Sequence, residues 1–319
     1  MNIDNPTLYR SLADLPAEAQ GAVLAIGNFD GVHIGHQQVI GDARALAEAK
    51  NAPLGVVLFD PHPQQFFVPD APPFRLTRLV TRAALLADLG VDFTLALRFD
   101  AAMAACDAED FIADILVGKL NVAAVCVGYD FCFGRGRKGN FAMLRDVGGE
   151  MGFETFATEA VLQPDSTDPF SSSAIRNFLR DGEPEKAGAL MGHAFAIEAE
   201  VQTGDRRGHT IGFATANMPL DDYVLPKFGV YAVRADILDG DFAGQQLHGV
   251  ANLGLRPTVG TDKPRLESHF FDFDGDLYGA NLRVSLLHFI RPEQKFDGFD
   301  ALKAQIAKDS DKAREMLGS

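Results

Sequence analysis

The chain of 319 residues has only three cysteines, Cys106, Cys126 and Cys132, and their spacing does not pair them. This excludes a disulfide scaffold and is typical of proteins that live in a reducing compartment. We therefore expect a cytoplasmic protein. No internal repeat and no low-complexity tract interrupts the sequence.

Basic residues are also scarce, since 29 Lys and Arg against 44 Asp and Glu give a net charge of -15. Nucleic acids and anionic membranes attract basic surfaces, so the charge argues against a general nucleic-acid or membrane partner. No apolar run approaches the length of a membrane span, and residues 1–20 lack a signal-peptide pattern. An enzyme that uses ATP remains compatible with this charge, because its site needs only local positive potential.

Apolar runs of strand length alternate with helical patterns in the first half of the chain. The predicted strands are residues 22–26, 53–59, 93–97 and 123–127, and helical patterns at residues 37–47, 78–89 and 108–120 lie between them. Such alternation is typical of a parallel sheet covered by helices on both faces. We therefore predict a Rossmann-like α/β domain whose ligands bind beyond the carboxyl ends of the strands.

The pattern changes near residue 195, where apolar and polar residues begin to alternate with period two. Short strands with this alternation, joined by turns such as residues 274–276, predict a small antiparallel β-barrel or sandwich. Residues 299–317 predict a terminal helix. We place the domain boundary between residues 187 and 188, so that the domains are 1–187 and 188–319.

Residues 27–36, GNFDGVHIGH, join the first predicted strand to a helical pattern. Exposed N–H groups and the positive end of the helix dipole favour an anion at such a junction. His33 and His36 are three residues apart and share a face of the first helical turn. Gly35 between them leaves room for a phosphate or a base against the backbone. The stretch predicts a site for the phosphates of a nucleotide.

Two histidines near a helix start also occur as metal ligands or as plain surface residues. The zinc pattern with histidines four apart and a neighbouring glutamate is absent. Residues 33–36 resemble the signature of class I aminoacyl-tRNA synthetases, one branch of the nucleotidyl transferases that bind ATP in this way. Their lysine-rich partner loop is missing, which disfavours an RNA-ligating or tRNA-binding protein.

The turn that follows the second predicted strand is stiffened by Pro61 and Pro63, which flank His62. Phe66 and Phe67 come directly afterwards. Rigid prolines and aromatic rings would make a wall for a flat ring system. The alternative is a simple loop with a core aromatic.

Two further segments are candidates for phosphate binding. Residues 134–139, GRGRKG, formally match the dinucleotide pattern, but the preceding strand ends too early, so we predict a mobile basic loop over phosphates. Residues 171–176 begin a predicted helix with three serines and end in Arg176, a group that also suits a phosphate. A solvated loop and an ordinary helix cap are the alternatives.

Taken in order, these segments resemble bacterial bifunctional riboflavin kinase/FAD synthetases over nearly the whole chain. The first half is similar to the FMN adenylyltransferase module through residues 27–36, 60–63, 128–139 and 171–176. The second half is similar to the riboflavin kinase module through residues 212–217, 229–232, 266–267 and 273–279. Each motif alone is weak evidence for the resemblance, whereas two sets of motifs in the family's order within one chain are specific evidence for it.

The resemblance implies a nucleotidyltransferase domain followed by a kinase barrel, with ATP as co-substrate and Mg²⁺ in both. The kinase converts riboflavin to FMN and ADP. The adenylyltransferase joins FMN to ATP, giving FAD and pyrophosphate. The sequence leaves the oligomeric state open.

In the adenylyltransferase the nucleophile is an ionised phosphate, so catalysis rests on orientation and charge stabilisation. The resemblance gives these catalytic roles to His33, His36 and Arg176. It assigns phosphate binding to Gly27, Asn28, Gly35, Ser172 and Ser173. It assigns flavin contacts to Pro61, His62, Pro63, Phe67, Asp130 and Phe133.

In the kinase the resemblance makes Glu267 the general base and gives Thr215 and Asn217 to Mg²⁺ and the phosphates. Residues 204–208, from Gly204 to Gly208, would bind ATP phosphates, although no Walker loop is present. Ala214 stands where the family commonly has proline, and His209 where arginine is common. These departures motivate an alternative, a monofunctional FMN adenylyltransferase whose barrel binds flavin but is inactive.

Overall fold

The computed structural model describes residues 8–163, 167–202, 215–255 and 263–318. These described residues form two compact units. The first consists of the described residues up to Ala71 together with Leu79–Ser171, and the second of Pro72–Arg78 together with the described residues from Ser172 onward. The predicted boundary between residues 187 and 188 remains a prediction.

The first unit contains an α/β fold. Its strands are β1 (Leu8–Tyr9), β2 (Val23–Ile26), β3 (Leu54–Asp60), β4 (Phe93–Arg98), β5 (Ala124–Gly128), β6 (Cys132–Phe133), β7 (Gly139–Asn140) and β8 (Glu154–Thr158). Its helices are α1 (Ile34–Lys50), α2 (Pro63–Phe67), α3 (Leu79–Asp88), α4 (Ala101–Ala105), α5 (Ala108–Asp110), which continues as the π-helical turn Phe111–Val117, and α6 (Phe141–Met151).

Six of these strands form a parallel sheet in the order β1-β4-β3-β2-β5-β8, and the short strands β6 and β7 form a separate antiparallel pair. Successive residues of β2 enter opposite cores, since Leu24 and Ile26 pack in one apolar cluster and Val23 and Ala25 in the other. A strand buried on both sides requires helices on both faces of the sheet. The predicted parallel α/β fold is confirmed.

Strand order reverses between β2 and β5, because the chain runs outward from β2 through β3 to β4 and then crosses to β5. Ligands of open α/β sheets bind at such a switch point, beyond the carboxyl ends of the strands. Residues 27–36 follow β2, residues 61–63 follow β3, and residues 129–131 follow β5. The three segments singled out in the sequence therefore lie on one rim of the sheet.

The second unit is built around antiparallel strands. Its elements are α7 (Ser172–Asp181), α8 (Pro184–Met191), β9 (Ala196–Glu200), β10 (Ala216–Pro219), β11 (Gly229–Ile237), β12 (Gln246–Leu255), β13 (Pro264–Phe270), β14 (Asn281–Pro292) and the terminal helix α9 (Phe299–Leu317). The described strands run in the order β10-β13-β12-β11-β14-β9.

A bridge between Gln202 and Asn217 links the two ends of this sheet, so that it nearly closes into a barrel. Helix α9 covers the outside, where Ala313 packs on Val230 and Ala232. Closure removes the exposed edges that an open sheet would present. The predicted antiparallel barrel with a terminal helix is confirmed.

Residues 72–78 belong to this second unit although they lie between α2 and α3 in the sequence. The backbone of Arg75 exchanges hydrogen bonds with Asp222 and Val224 at 3.0 and 2.8 Å. Arg78 pairs with Asp221 at 2.6 Å, and the side chain of Leu76 is fully buried. The sequence pattern does not predict this insertion.

Candidate active sites

The turn between β2 and α1 has an unusual backbone. Phe29 and Val32 have φ values of 50° and 42°, and both side chains are buried. Positive φ is a genuine outlier for a β-branched residue, and such outliers cluster at functional sites. Gly31, at φ 85°, has no side chain to strain. The surrounding structure must therefore hold this turn in shape.

His33 caps helix α1. Its Nδ1 accepts a hydrogen bond from the backbone N–H of His36 at 3.3 Å, so the neutral ring carries its proton on Nε2. The two imidazoles stack with centroids 3.6 Å apart, and Phe29 packs edge-on against His36 at 5.2 Å. The two rings share one face of the helix start, as their spacing predicts.

Gly35 makes room for the ring of His33. A Cβ at this position would lie 3.2 Å from both Cε1 and Nδ1 of that ring, and 3.5 Å from Cβ of Phe170. The first two distances are tighter than ordinary van der Waals contact. The structure thus gives a local reason for the glycine, whereas the predicted contact with a phosphate or base remains a prediction.

Arg82 of α3 holds the middle of the turn. Its Nη1 donates to the carbonyl oxygen of Asn28 at 2.8 Å, and its Nη2 to Oδ1 of Asp30 at 3.0 Å. Arg82 and Asp30 are both buried, at 4% and 2% exposure. The side-chain Oδ1 of Asn28 is buried as well, with no hydrogen-bond partner among the described residues. A buried acceptor without a donor at this point suits a ligand that can donate a hydrogen bond.

Arg82 lies outside every motif of the sequence. The buried positions of α3 are Leu79, Arg82, Ala83 and Leu86, which is the spacing of a core-facing stripe. An arginine in such a stripe is rarely buried unless it is paired. That placement is the signal that could have drawn attention to Arg82.

An aromatic cluster lies where β3 ends. Phe66, Phe67 and Phe99 contact one another with ring centroids 5.3, 5.4 and 5.7 Å apart, and Phe67 is 63% exposed. Nδ1 of His62 accepts a hydrogen bond from the N–H of Gln64 and caps the short helix α2. The stiff turn at Pro61 and Pro63 thus leads into a helix that carries an exposed aromatic ring.

The segment after β5 divides into an exposed and a buried part. Asp130 is exposed, whereas Phe133 is buried and stacks on Phe131 at 5.4 Å. The basic residues from Arg135 to Arg137 form an exposed turn, with Arg135 paired to Asp107 at 2.8 Å. The flavin contacts and the mobility predicted here remain predictions.

Two cysteines of this unit, Cys106 and Cys126, have raised pKa values. Burial raises the pKa of Cys126 to about 12, and burial also raises the pKa of Cys106, with further contributions from Asp110 and Asp114. Thiols with raised pKa values are protonated near neutral pH and are poor nucleophiles.

Ser172, Ser173 and Arg176 lie at the start of α7, in the second compact unit. Nε of Arg176 donates to the carbonyl oxygen of Phe74 at 2.7 Å, and its guanidinium lies 5.2 Å from the centre of the Phe74 ring. Arg176 is thereby ordered against the inserted residues 72–78. That these residues act together with His33 on one nucleotide remains a prediction.

The barrel places Asn217 and Glu267 directly opposite each other on β10 and β13, and Asn252 of β12 opposite Glu267 on its other side. Paired residues of neighbouring strands share a face of the sheet. Asn217 is 4% exposed, and its Nδ2 lies 3.4 Å from the carbonyl oxygen of Thr215. Its Oδ1 has no hydrogen-bond partner among the described residues.

A buried oxygen without a donor suits a hard cation such as Mg²⁺, so Asn217 fits the predicted metal role. Gly204, Gly208, His209 and Ala214 lie outside the described residues, so their roles remain predictions. Within the described part of the chain, no group of three or more His, Cys, Asp or Glu side chains could hold a metal ion.

Comparison with known proteins gives two family matches. The FAD synthetase model matches residues 15–174, and the riboflavin kinase model matches residues 191–317. Curated relatives from Escherichia coli K12, Haemophilus influenzae and Bacillus subtilis are 45%, 39% and 37% identical. The matches cover 98%, 98% and 93% of this chain and 98%, 99% and 92% of the relatives. All three relatives are named bifunctional riboflavin kinase/FMN adenylyltransferase.

The chain belongs to the bifunctional riboflavin kinase/FMN adenylyltransferase family. It is an enzyme with a FAD synthetase domain and a riboflavin kinase domain, as the resemblance implies. The match of a kinase model to the barrel favours the bifunctional prediction over the monofunctional alternative.

The fold of this family member is also similar to a crystal structure described as a macrolide-efflux protein from Streptococcus pneumoniae. The two share 29% identity with a TM-score of 0.83, over 96% of this chain and 98% of that one. The efflux description belongs to that protein. Among the described residues of this chain, no helix has both the length and the apolarity needed to cross a membrane.

Proposed function

We propose that the barrel phosphorylates riboflavin with ATP, giving FMN and ADP, and that the parallel-sheet domain joins FMN to ATP, giving FAD and pyrophosphate. The observation that carries the proposal is the strained, histidine-capped turn at the switch point of the sheet. A second site, on paired strands of the barrel, supports a second reaction.

In adenylylation, a phosphate oxygen of FMN forms a bond to the α-phosphorus of ATP, and the bond from that phosphorus to the bridging oxygen of pyrophosphate breaks. The nucleophile is already ionised, so no general base is required. The N–H groups at the start of α1 and Nε2–H of His33 are donors suited to the charge that develops. His36, stacked on His33, is ordered for the same task.

In phosphorylation, the 5′-oxygen of riboflavin bonds to the γ-phosphorus of ATP, ADP leaves, and the hydroxyl proton passes to the carboxylate of Glu267. Thr215 and Asn217 would hold Mg²⁺ through their side-chain oxygens. The metal would supply positive charge against the phosphates. Glu267 lies opposite Asn217 in the strand register, which supports a site that uses both side chains.

The exposed ring of Phe67, with Pro61, His62 and Pro63 beside it, would pack against the flat ring of a flavin. Asp130 and Phe133 would border the same rim. We further propose a cytoplasmic enzyme that works on small molecules alone, because its cysteines are free thiols and its net charge is -15.

A product assay tests the proposal. Protein incubated with riboflavin, ATP and Mg²⁺ should first form FMN and then FAD, and protein supplied with FMN should form FAD directly. Accumulation of FMN without FAD would contradict the adenylylation site, and absence of FMN would contradict the kinase site. Omitting Mg²⁺ should abolish both products.

A further inference from the structure

We infer that Arg82 is a positioning residue of the FAD synthetase reaction, which acts by holding the turn that carries Asn28 and Asp30. This inference rests on the proposed adenylylation at that turn. It names a role for a residue that lies on α3, outside every motif found in the sequence.

The guanidinium of Arg82 donates hydrogen bonds to the turn at two points, one on the backbone and one on a side chain. One N–H donates to the backbone carbonyl of Asn28 at 2.8 Å, and another donates to the Asp30 carboxylate at 3.0 Å. The planar fork of arginine fixes the direction of both bonds at once, which a lysine cannot do. Residues 28 to 30 are therefore held at both ends.

The held segment is the strained one. Phe29 lies between Asn28 and Asp30 and has φ 50°, and Val32, three residues after Phe29, has φ 42°. Such conformations persist only where neighbouring structure over-determines them. The N–H of Gly27 donates to Val57 at one end of the turn, and Nε2 of Gln37 donates to the carbonyl of Val32 at the other. Arg82 supplies the restraint in the middle.

Stability alone does not account for this arginine. Buried ion pairs can often be replaced by apolar residues without loss of stability, because desolvation cancels most of their attraction. Leucine at position 82 would continue the apolar stripe of Leu79, Ala83 and Leu86. The geometry instead serves Asn28, whose side-chain Oδ1 is left buried and without a hydrogen-bond partner in the described structure.

The test compares Arg82→Met with the double variant Arg82→Met/Asp30→Asn. In the single variant the Asp30 charge is left buried without its partner, so the thermal midpoint of unfolding should fall and the turn should lose its positioning. The double variant removes that charge and should restore the thermal midpoint of unfolding, but the two hydrogen bonds from the guanidinium are still absent. We expect kcat/KM for FAD formation to fall about 10²-fold in both, the scale of a small misplacement of reacting groups. FMN formation from riboflavin should be unchanged.

Recovery of FAD formation in the double variant would overturn the inference, because Arg82 would then only neutralise Asp30. An equal loss of both reactions would also overturn it. Lys50→Met is the matched control, since Lys50 lies in the last turn of α1 and pairs with Glu154 on the surface. If the unsubstituted enzyme itself forms no FAD, the proposed function fails. That outcome is distinct from a failure of the inference about Arg82, which only the variants test.

Discussion

The two domains place their candidate catalytic groups in different ways. In the FAD synthetase domain the groups lie on a turn with positive φ at Phe29 and Val32, held by a buried arginine. In the riboflavin kinase domain Asn217 and Glu267 lie on regular strands, and their register alone sets them side by side. A site on a turn needs dedicated restraints, whereas a site on paired strands inherits its geometry from the sheet.

The largest effect is expected for Glu267→Gln in the barrel. An amide of the same shape cannot accept the hydroxyl proton, so FMN formation should fall roughly 10²–10⁴-fold. The paired strands should keep their register, and FAD formation from supplied FMN should be unchanged. Rates measured separately for FMN formation and FAD formation decide this, and a parallel fall in both rates would show that the two sites are not separate.

His36→Ala should lower FAD formation by roughly 10²–10³-fold, the scale for losing one donor in the transition state. FMN formation should stay intact. Gln38→Ala, at an exposed position on the same helix, is the control and should alter neither rate. If folded His36→Ala protein lost both activities, the contrast between the domains would break down.

Arg176→Met sharpens the comparison, because Arg176 belongs by contacts to the barrel unit but is predicted to serve adenylylation. FAD formation should fall by roughly 10²-fold, the lower end for a lost donor, since Ser172, Ser173 and the N–H groups of α7 remain. FMN formation should persist. Loss of FMN formation alone would instead assign α7 to the kinase.

The smallest effect concerns pH and the terminal helix. Two hydrogen bonds from Arg314, at 2.9 and 3.0 Å, lower the pKa of Asp272 below its usual range. A lowered folded pKa means that the pair stabilises the barrel above the ordinary aspartate pKa of about 3.9, and that this contribution is lost as the pH falls through the folded value. Asp272 is exposed and Arg314 only partly buried, so solvent screens the pair and we expect a small change in the thermal midpoint of unfolding.

Thermal midpoints of unfolding, measured near pH 7 and below pH 4, test this prediction, with Asp272→Asn as the comparison. The variant should differ slightly from the unsubstituted chain near neutral pH and converge with it in acid. A difference that grows as the pH falls would contradict the assignment of the sign.

Much of the rim at the carboxyl ends of the parallel strands in the FAD synthetase domain could be predicted from the sequence. Apolar runs predicted β2, β3 and β5, and parallel strands must end on the same side. The three-residue spacing of His33 and His36 predicted their shared face. The ion pair between Arg82 and Asp30 joins residues far apart in the sequence, and local periodicity cannot predict such pairs. The positive φ of Val32 was equally hidden, since valine normally avoids it.

In the riboflavin kinase domain, period-two alternation predicted β11 to β14 but not which strands would be neighbours. The pairing of Asn217 with Glu267 came from the structure, although family resemblance had already put both residues in one site. Strand β10 and the insertion of residues 72–78 escaped prediction, because each is short and carries no periodic signal.

Residues 72–78 bear directly on how this enzyme is divided in the laboratory. A truncated protein that begins at residue 188, or even at 172, would omit a stretch that belongs to the barrel unit and whose Leu76 side chain is fully buried. Such a truncated protein would leave an apolar cleft open to water, and would aggregate more readily than the intact enzyme. Supplying the missing heptapeptide in trans, or grafting it ahead of α7, should restore its solubility.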